Sequence, residues 1–229
     1  MCPRPEIGIL DINDIKRIIK EFADIGGKTI KPFWRGEPTA DKRMLEILTY
    51  CKELELTTML NTNGSFVYNN LTDILKVTDW ISFSIDEDHD NINDESLNNV
   101  FLAKNYCDYV EVQSGKYNKQ QDKVYDYMGV PYIVDTFTKR KESDNDSEVI
   151  AGDRKYCNFP EWRMIISYDG SATLCCVDWD MDNKIGNVFD NSLEEMFYGD
   201  KATKLRKELK EGCHKSDICR ECPSKGAYV

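Results

Sequence analysis

The sequence predicts an α/β protein in two parts, a series of parallel strands joined by helices and then a smaller domain with a β-hairpin. Three observations carry this expectation. Segments with helical apolar spacing alternate with short β-branched or aromatic runs through the first part of the chain. A charged, apolar-poor stretch at 139–155 interrupts them and reads as a linker. Beyond it, a hairpin signal and a gathering of cysteines replace the earlier pattern. The expected boundaries are therefore 1–138, a linker at 139–155, and 156–229.

Taken in order, Ile12, Ile15, Ile18, Ile19, Phe22 and Ile25 repeat at helical spacing, with Asp11 or Asp14 as the cap and Gly26 as the stop. Residues 29–34 read as a strand, 42–55 as a helix, 57–61 as a strand and 70–77 as a short helix. Strands are also expected at 80–85, 109–113 and 131–136, with helices at 95–105 and 119–128 between them. This alternation predicts parallel strands joined by right-handed helical crossovers. It contains five strands and opens on a helix, so a further strand is expected ahead of the present start. A curled partial barrel without it would expose an unpaired edge. In the second part, 162–168 and 171–176 flank Asp169-Gly170, a dipeptide suited to a tight type I′ turn. Helices are expected at 192–198 and 201–211, ahead of Cys213, Cys219 and Cys222.

Composition narrows the class. Of 229 residues, 41% are hydrophobic and 31% charged, which supports a packed core and excludes wholesale disorder, a collagen-like repeat and a coiled coil. No apolar run approaches the roughly 18 residues of a membrane span, and the first residues open no signal-peptide core. The expected address is cytoplasmic, with no membrane partner. Forty-one acidic against 30 basic residues leave a net charge of −11, which repels a phosphate backbone, so nucleic acid is not an expected partner.

Nine cysteines, an odd number with no secretory signal, make a poor disulfide framework. With only His89 and His214 available, any metal site must be rich in sulfur. Cys157 precedes the hairpin, Cys175 and Cys176 end it, and Cys219-x2-Cys222 follows the helices. Four thiolates bind zinc or an iron-sulfur cluster, and the spacing alone does not choose. Buried thiols are the structural alternative, and the preferred one for Cys51 and Cys107. In the first part, Trp34-Arg35-Gly36-Glu37-Pro38 lies at a strand end. There glycine lets a ligand approach the backbone and a carboxylate can accept from a ligand ammonium; an ordinary strand-to-helix turn is the alternative. Asn61-Thr62-Asn63-Gly64 and Ser82-Phe83-Ser84-Ile85-Asp86 fall at equivalent strand ends, so one fold could direct all three toward one ligand. The acidic run at 86–90 is not a calcium loop, since Asn91 stands where glycine is required and Leu97 where glutamate is.

Together these residues resemble the radical S-adenosylmethionine (radical SAM) enzymes that carry a C-terminal SPASM-type auxiliary cluster domain, over nearly the whole length. Arg35-Gly36-Glu37-Pro38 is similar to the family's Gly-Gly-Glu-Pro motif, with arginine at the first glycine. Thr62-Asn63-Gly64 and Ser84-Ile85-Asp86 are similar to its third- and fourth-strand segments. In the tail, Cys157, Asp169-Gly170, Cys175, Gly186-Asn187-Val188, the helix at 193–197 and Cys219-x2-Cys222-Pro223 resemble a short SPASM domain. The family's C-x3-C-x2-C loop is incomplete. Only Cys2, in Met1-Cys2-Pro3-Arg4, is similar to its end, with the two earlier cysteines and the first strand expected upstream.

The resemblance implies a partial (β/α)6 TIM-like barrel, its first strand missing, followed by a small α+β SPASM domain with a β-hairpin. It implies one auxiliary [4Fe-4S] cluster on Cys157, Cys175, Cys219 and Cys222, with Cys176 and Cys213 as substitutes. Toward S-adenosylmethionine it implies Gly36 and Glu37 at the ammonium group, Ser84 at the carboxylate and Asp86 or Asn63 at the ribose, with Cys2 on the catalytic cluster. The implied reaction is reductive cleavage of S-adenosylmethionine to a 5′-deoxyadenosyl radical that abstracts hydrogen from a substrate. A peptide or protein side chain is the implied substrate, and a reduced flavodoxin or ferredoxin the electron donor. The rival expectation is a non-catalytic protein that keeps only the auxiliary site, filled by an iron-sulfur cluster or by zinc.

Overall fold

The computed structural model describes residues 8–64, 70–85, 94–114, 118–134, 157–212 and 216–220. The chain divides into two compact units, one built on Ile15–Thr138 and the other on Lys139–Val229 together with Arg4–Asp14. The linker expected at 139–155 lies outside the described residues.

Helix α1 (Ile12–Asp24) starts where Asp11 Oδ1 accepts the Asn13 N–H at 2.8 Å, which satisfies one of the donors a helix start leaves open. It buries Ile18 and Ile19. Five strands follow: β1 (Thr29–Ile30), β2 (Thr57–Thr62), β3 (Trp80–Ser84), β4 (Tyr109–Ser114) and β5 (Tyr132–Val134). Between them run α2 (Met44–Glu53), α3 (Leu71–Lys76), α4 (Asp94–Ala103) and α5 (Lys119–Met128). The sheet keeps chain order, β1-β2-β3-β4-β5, and every neighbouring pair is parallel.

Register explains which face is core. Leu60, Ile81 and Val110 stand side by side, and so do Thr62, Phe83 and Val112. All but Thr62 join one buried cluster with Met44 and Leu48 of α2, Ile74 and Leu75 of α3, Val100 of α4 and Tyr125 of α5. One sheet face therefore receives all four connecting helices. Local punctuation sets their ends. Asn118 caps α5 by accepting from the Gln120 and Gln121 N–H groups, and Gly129 at φ +63 stops it.

The first strand is shorter than expected. Its ladder with β2 ends at Ile30, and the Phe33 N–H then turns back to Lys31 O at 2.8 Å. As the edge of the described sheet it has a partner on one side only, so nothing extends the ladder toward residue 34.

In the second unit β6 (Ile165–Ile166), β7 (Ser171–Thr173) and β8 (Gly186–Asn187) form an antiparallel sheet, followed by α6 (Leu193–Tyr198), α7 (Asp200–Lys210) and α8 (Asp217–Arg220). Its core holds Phe159, Leu174, Ile185, Val188, Leu193 and Met196. Ser192 and Glu195 close a capping box on α6. The hairpin turn differs from the expected type I′. Ser167 N–H bonds Ser171 O at 2.8 Å and Gly170 N–H bonds Ser167 O at 3.0 Å, so the loop has three residues. Gly170 alone has positive φ, +77, whereas type I′ needs it at both central positions. The result is a type I turn closed by a left-handed glycine. Among the described residues no helix is long and apolar enough to cross a membrane.

Candidate functional site

The loop after β1 places Gly36 at φ +79, with open space where a Cβ would stand. A side chain there would strain the backbone. Arg35, which stands at the first glycine of the resembling motif, lays its guanidinium 4.0 Å over the Trp34 ring.

Glu37 is half-buried and caps the single turn of 3-10 helix at Pro38–Ala40. Its Oε1 accepts from the Thr39 N–H at 3.0 Å, Thr39 Oγ1 at 2.6 Å and Thr62 Oγ1 at 2.7 Å. Its Oε2 accepts the Asn63 N–H at 2.7 Å. The carboxylate thus ties the loop after β1 to the end of β2, with Oε2 the less occupied oxygen. Thr39 and Thr62 are both buried. The sequence pattern gave Thr39 no part, and Thr62 a place only within its strand-end segment. The signal that could have found Thr39 is a hydroxyl two positions after a carboxylate at a helix start.

The structure thus brings Glu37 and Asn63 into contact at the C-terminal ends of β1 and β2, while Ser84 stands exposed at the corresponding end of β3. Asp86 and Cys2 lie outside the described residues.

In the second unit Cys157, Cys175, Cys176 and Cys219 are half-buried thiols, none of them in a disulfide. Cys157 precedes the turn at Phe159–Glu161, Cys175 and Cys176 follow β7, and Cys219 lies on α8. Arg163 Nη1 donates to Cys176 Sγ at 3.5 Å, its guanidinium held against the Phe159 and Trp162 rings at 3.5 and 4.4 Å. Sulfur ligands suit iron-sulfur clusters or zinc, so the donor chemistry of these cysteines fits a cluster. Among the described residues no three His, Cys, Asp or Glu side chains meet as a metal-binding group. Cys213 and Cys222 lie outside the described residues. The loop after Cys176 is pinned by Asp178, fully buried, which accepts from Thr173 Oγ1 at 2.7 Å and from the Asp182 and Asn183 N–H groups at 2.9 and 3.0 Å.

Cys51 and Cys107 behave as core residues. Burial pushes both thiols up to about 12, with the charges of Asp79 and Asp108 adding to the effect at Cys107. Neither is a thiolate at neutral pH.

Residues 157–223 match SPASM, an iron-sulfur cluster-binding domain. Over 67 residues the chain is 31% identical to the S-adenosyl-L-methionine-dependent 2-deoxy-scyllo-inosamine dehydrogenase of Niallia circulans. That match spans 29% of this chain and 27% of the curated relative. BtrN in complex with AdoMet and 2-DOIA is similar in fold, with a TM-score of 0.67 at 19% identity over 99% of this chain and 88% of that one. Streptococcus suis SuiB bound to precursor peptide SuiA has a TM-score of 0.55 at 16% identity over 97% of this chain and 66% of that one. The chain therefore resembles radical SAM enzymes in fold, and carries a SPASM domain match in its second unit. The expected cofactors are those of these proteins: an iron-sulfur cluster for the domain, and S-adenosylmethionine in the BtrN complex.

Proposed function

We propose that this chain is the barrel and SPASM portion of a radical SAM enzyme. The observation that carries the reading is Glu37, a half-buried carboxylate fixed by four donors at the C-terminal ends of parallel strands in a chain whose tail matches an iron-sulfur domain. Chain-order parallel strands with every connecting helix on one face are what the wall of a partial (β/α)6 barrel requires.

Glu37 Oε2 accepts the ammonium group of S-adenosylmethionine, and Gly36 leaves room for it. Ser84 serves the carboxylate, and Asn63 or Asp86 the ribose. Cys2 belongs to the catalytic cluster, while Cys157, Cys175, Cys219 and Cys222 hold the auxiliary [4Fe-4S] cluster. Held by these residues and given one electron from a reduced flavodoxin or ferredoxin by way of the catalytic cluster, S-adenosylmethionine would cleave at its sulfur–C5′ bond to methionine and a 5′-deoxyadenosyl radical able to abstract a substrate hydrogen. The protein's part is positioning and exclusion of water. The peptide bound to SuiB supports a peptide or protein side chain as substrate, acted on in the cytoplasm.

The rival reading is a non-catalytic protein with the auxiliary site alone, filled by an iron-sulfur cluster or by zinc. Titration calorimetry with S-adenosylmethionine after anaerobic reconstitution separates the two. The enzyme reading expects binding that weakens about tenfold or more in Glu37→Ala, since a charge-assisted contact is lost. No binding to the wild-type chain would leave the rival.

A further inference from the structure

The sheet face turned away from the helices carries three rows of side chains, and of these only Ser84 belongs to the cofactor reading. At the N-terminal ends of the strands Met59, Trp80 and Tyr109 are in register, the two rings 5.3 Å apart. One step toward the C-terminal ends, Asn61, Ser82 and Glu111 stand side by side, and beyond them Ser84, Gln113 and Ile133. Ser82 lies on this face because its neighbours Ile81 and Phe83 both enter the core cluster.

The middle row is polar and bonded to Gln113 of the row beyond it. Asn61 Nδ2 donates to Gln113 Oε1 at 3.3 Å, spanning β3, and Gln113 Nε2 donates to Glu111 Oε1 at 2.6 Å. Ser82 Oγ, in a residue only 5% exposed, has no hydrogen-bond partner. A buried hydroxyl left this way costs free energy that a bound group can recover. Each amide keeps one N–H after these bonds, so the row offers donors and acceptors alike, and its one charge is the Glu111 carboxylate, beside Asn61 Oδ1 and the Ser82 hydroxyl. An anion would meet the Glu111 charge, and an apolar group would leave Ser82 unsatisfied.

We infer that Asn61, Ser82 and Glu111 form a substrate subsite for an amine-bearing polar group, with Glu111 as its counter-charge and Ser82 as the hydroxyl that fixes its position. The subsite deepens the proposed function and rests on it. It lies one row in from the strand ends assigned to S-adenosylmethionine, which is where a substrate must sit to meet a radical formed there. An amino-polyol and a lysine side chain both carry this chemistry.

The test titrates the reconstituted chain, by calorimetry and amide chemical-shift mapping, with 2-deoxy-scyllo-inosamine and with a short lysine-containing peptide. At least one amine binds, shifts the Ser82 and Glu111 signals, and binds about tenfold or more weakly to Glu111→Gln and Ser82→Ala. S-adenosylmethionine affinity stays unchanged in both variants. Whichever amine binds more tightly identifies the source. Binding of neither amine, or equal binding to wild type and both variants, overturns the subsite. Where a variant fails to fold, the shift map of the wild-type chain decides: amine-induced shifts that leave Ser82 and Glu111 unmoved overturn it equally. Glu111-dependent amine binding without any S-adenosylmethionine binding would keep the subsite and sink the radical reading; the converse would do the opposite.

Discussion

Glu37 has a structural task beside the ligand role proposed for it. Removing its carboxylate strips partners from Thr39 Oγ1 and Thr62 Oγ1, in residues 0% and 2% exposed. Glu37→Ala is therefore expected to lower folding stability by about 2–4 kcal/mol, measured by urea denaturation, because hydrogen bonds to a charged acceptor are worth more than neutral ones. A cost within the scatter of ordinary surface substitutions would place the carboxylate outside the fold's support. Asp178 makes the same point in the second unit. Asp178→Ala leaves three donors without their acceptor in a fully buried position, with an expected cost of about 3 kcal/mol by thermal unfolding. Fewer irons should also assemble per chain, since the loop it pins follows Cys175 and Cys176; full iron loading would restrict Asp178 to folding. At this scale the sequence located Glu37 between a strand and the helical turn that follows, but not its partners. Thr62 is far along the chain, and only the parallel register brings it near. Ser82 and Glu111 were opaque for the same reason, since their neighbourhood exists only once β2, β3 and β4 are aligned.

Among the elements, β3 is anchored at its start by Asp79. This carboxylate accepts from Lys52 Nζ on α2 at 2.7 Å and from the Thr58 N–H of β2 at 2.7 Å. Burial opposes its ionisation, yet the bonds from Lys52 and Thr58 prevail and hold its carboxyl below the usual range. A carboxyl with a lower pKa folded than unfolded binds fewer protons in the folded state. Its stabilisation is complete above the unfolded value of about 3.9 and is lost as pH falls through that value toward the folded one. Melting temperatures followed from pH 6 down to 3, a range of about three units around that value, should fall less steeply in Asp79→Asn than in wild type. Parallel curves would mean that Asp79 does not link protonation to folding. Elements with local punctuation were legible: α5 runs over the residues its sequence predicts because Asn118 and Gly129 fix both ends. The hairpin turn was not, because its type depends on where the ladder ends and on β8. Asn187 Nδ2 bonds Asp169 O at 3.0 Å and Val188 N–H bonds Gly170 O at 2.9 Å. Two residues of strand carry too little alternation for β8 to be foreseen. Gly170→Ala should cost about 1–2 kcal/mol by denaturation, since φ is +77 and its Cβ would lie 2.7 Å from Asn187 Oδ1.

For the whole molecule, composition read correctly as a packed α/β chain, and the cysteines after residue 156 marked the iron-sulfur domain that the comparison matches. The sequence places those thiols along the chain but not in space, because ligand sets converge through loops rather than through periodic elements. The energetics still assign the cluster a role in folding. The second unit's strands span two or three residues each, and its helices α6 and α8 are short. A unit of this kind buries too little apolar surface to be strongly stable alone, so a bound metal centre supplies part of the folding free energy. Reconstitution should load at least about four irons per chain, and Cys219→Ala should lower the number by about four, because one four-cysteine set holds one such cluster. Hydrogen exchange then reads the coupling. Amides of β7, α6 and α7 should exchange more slowly in the iron-loaded chain and lose that protection on chelation, while amides of β2, β3 and β4 keep theirs. Zinc without iron would replace the cluster by a structural zinc site and remove the redox role of the tail. Equal protection of α6 and α7 with and without iron would show that Leu174, Leu193 and Met196 suffice for folding, leaving the cluster a purely functional part.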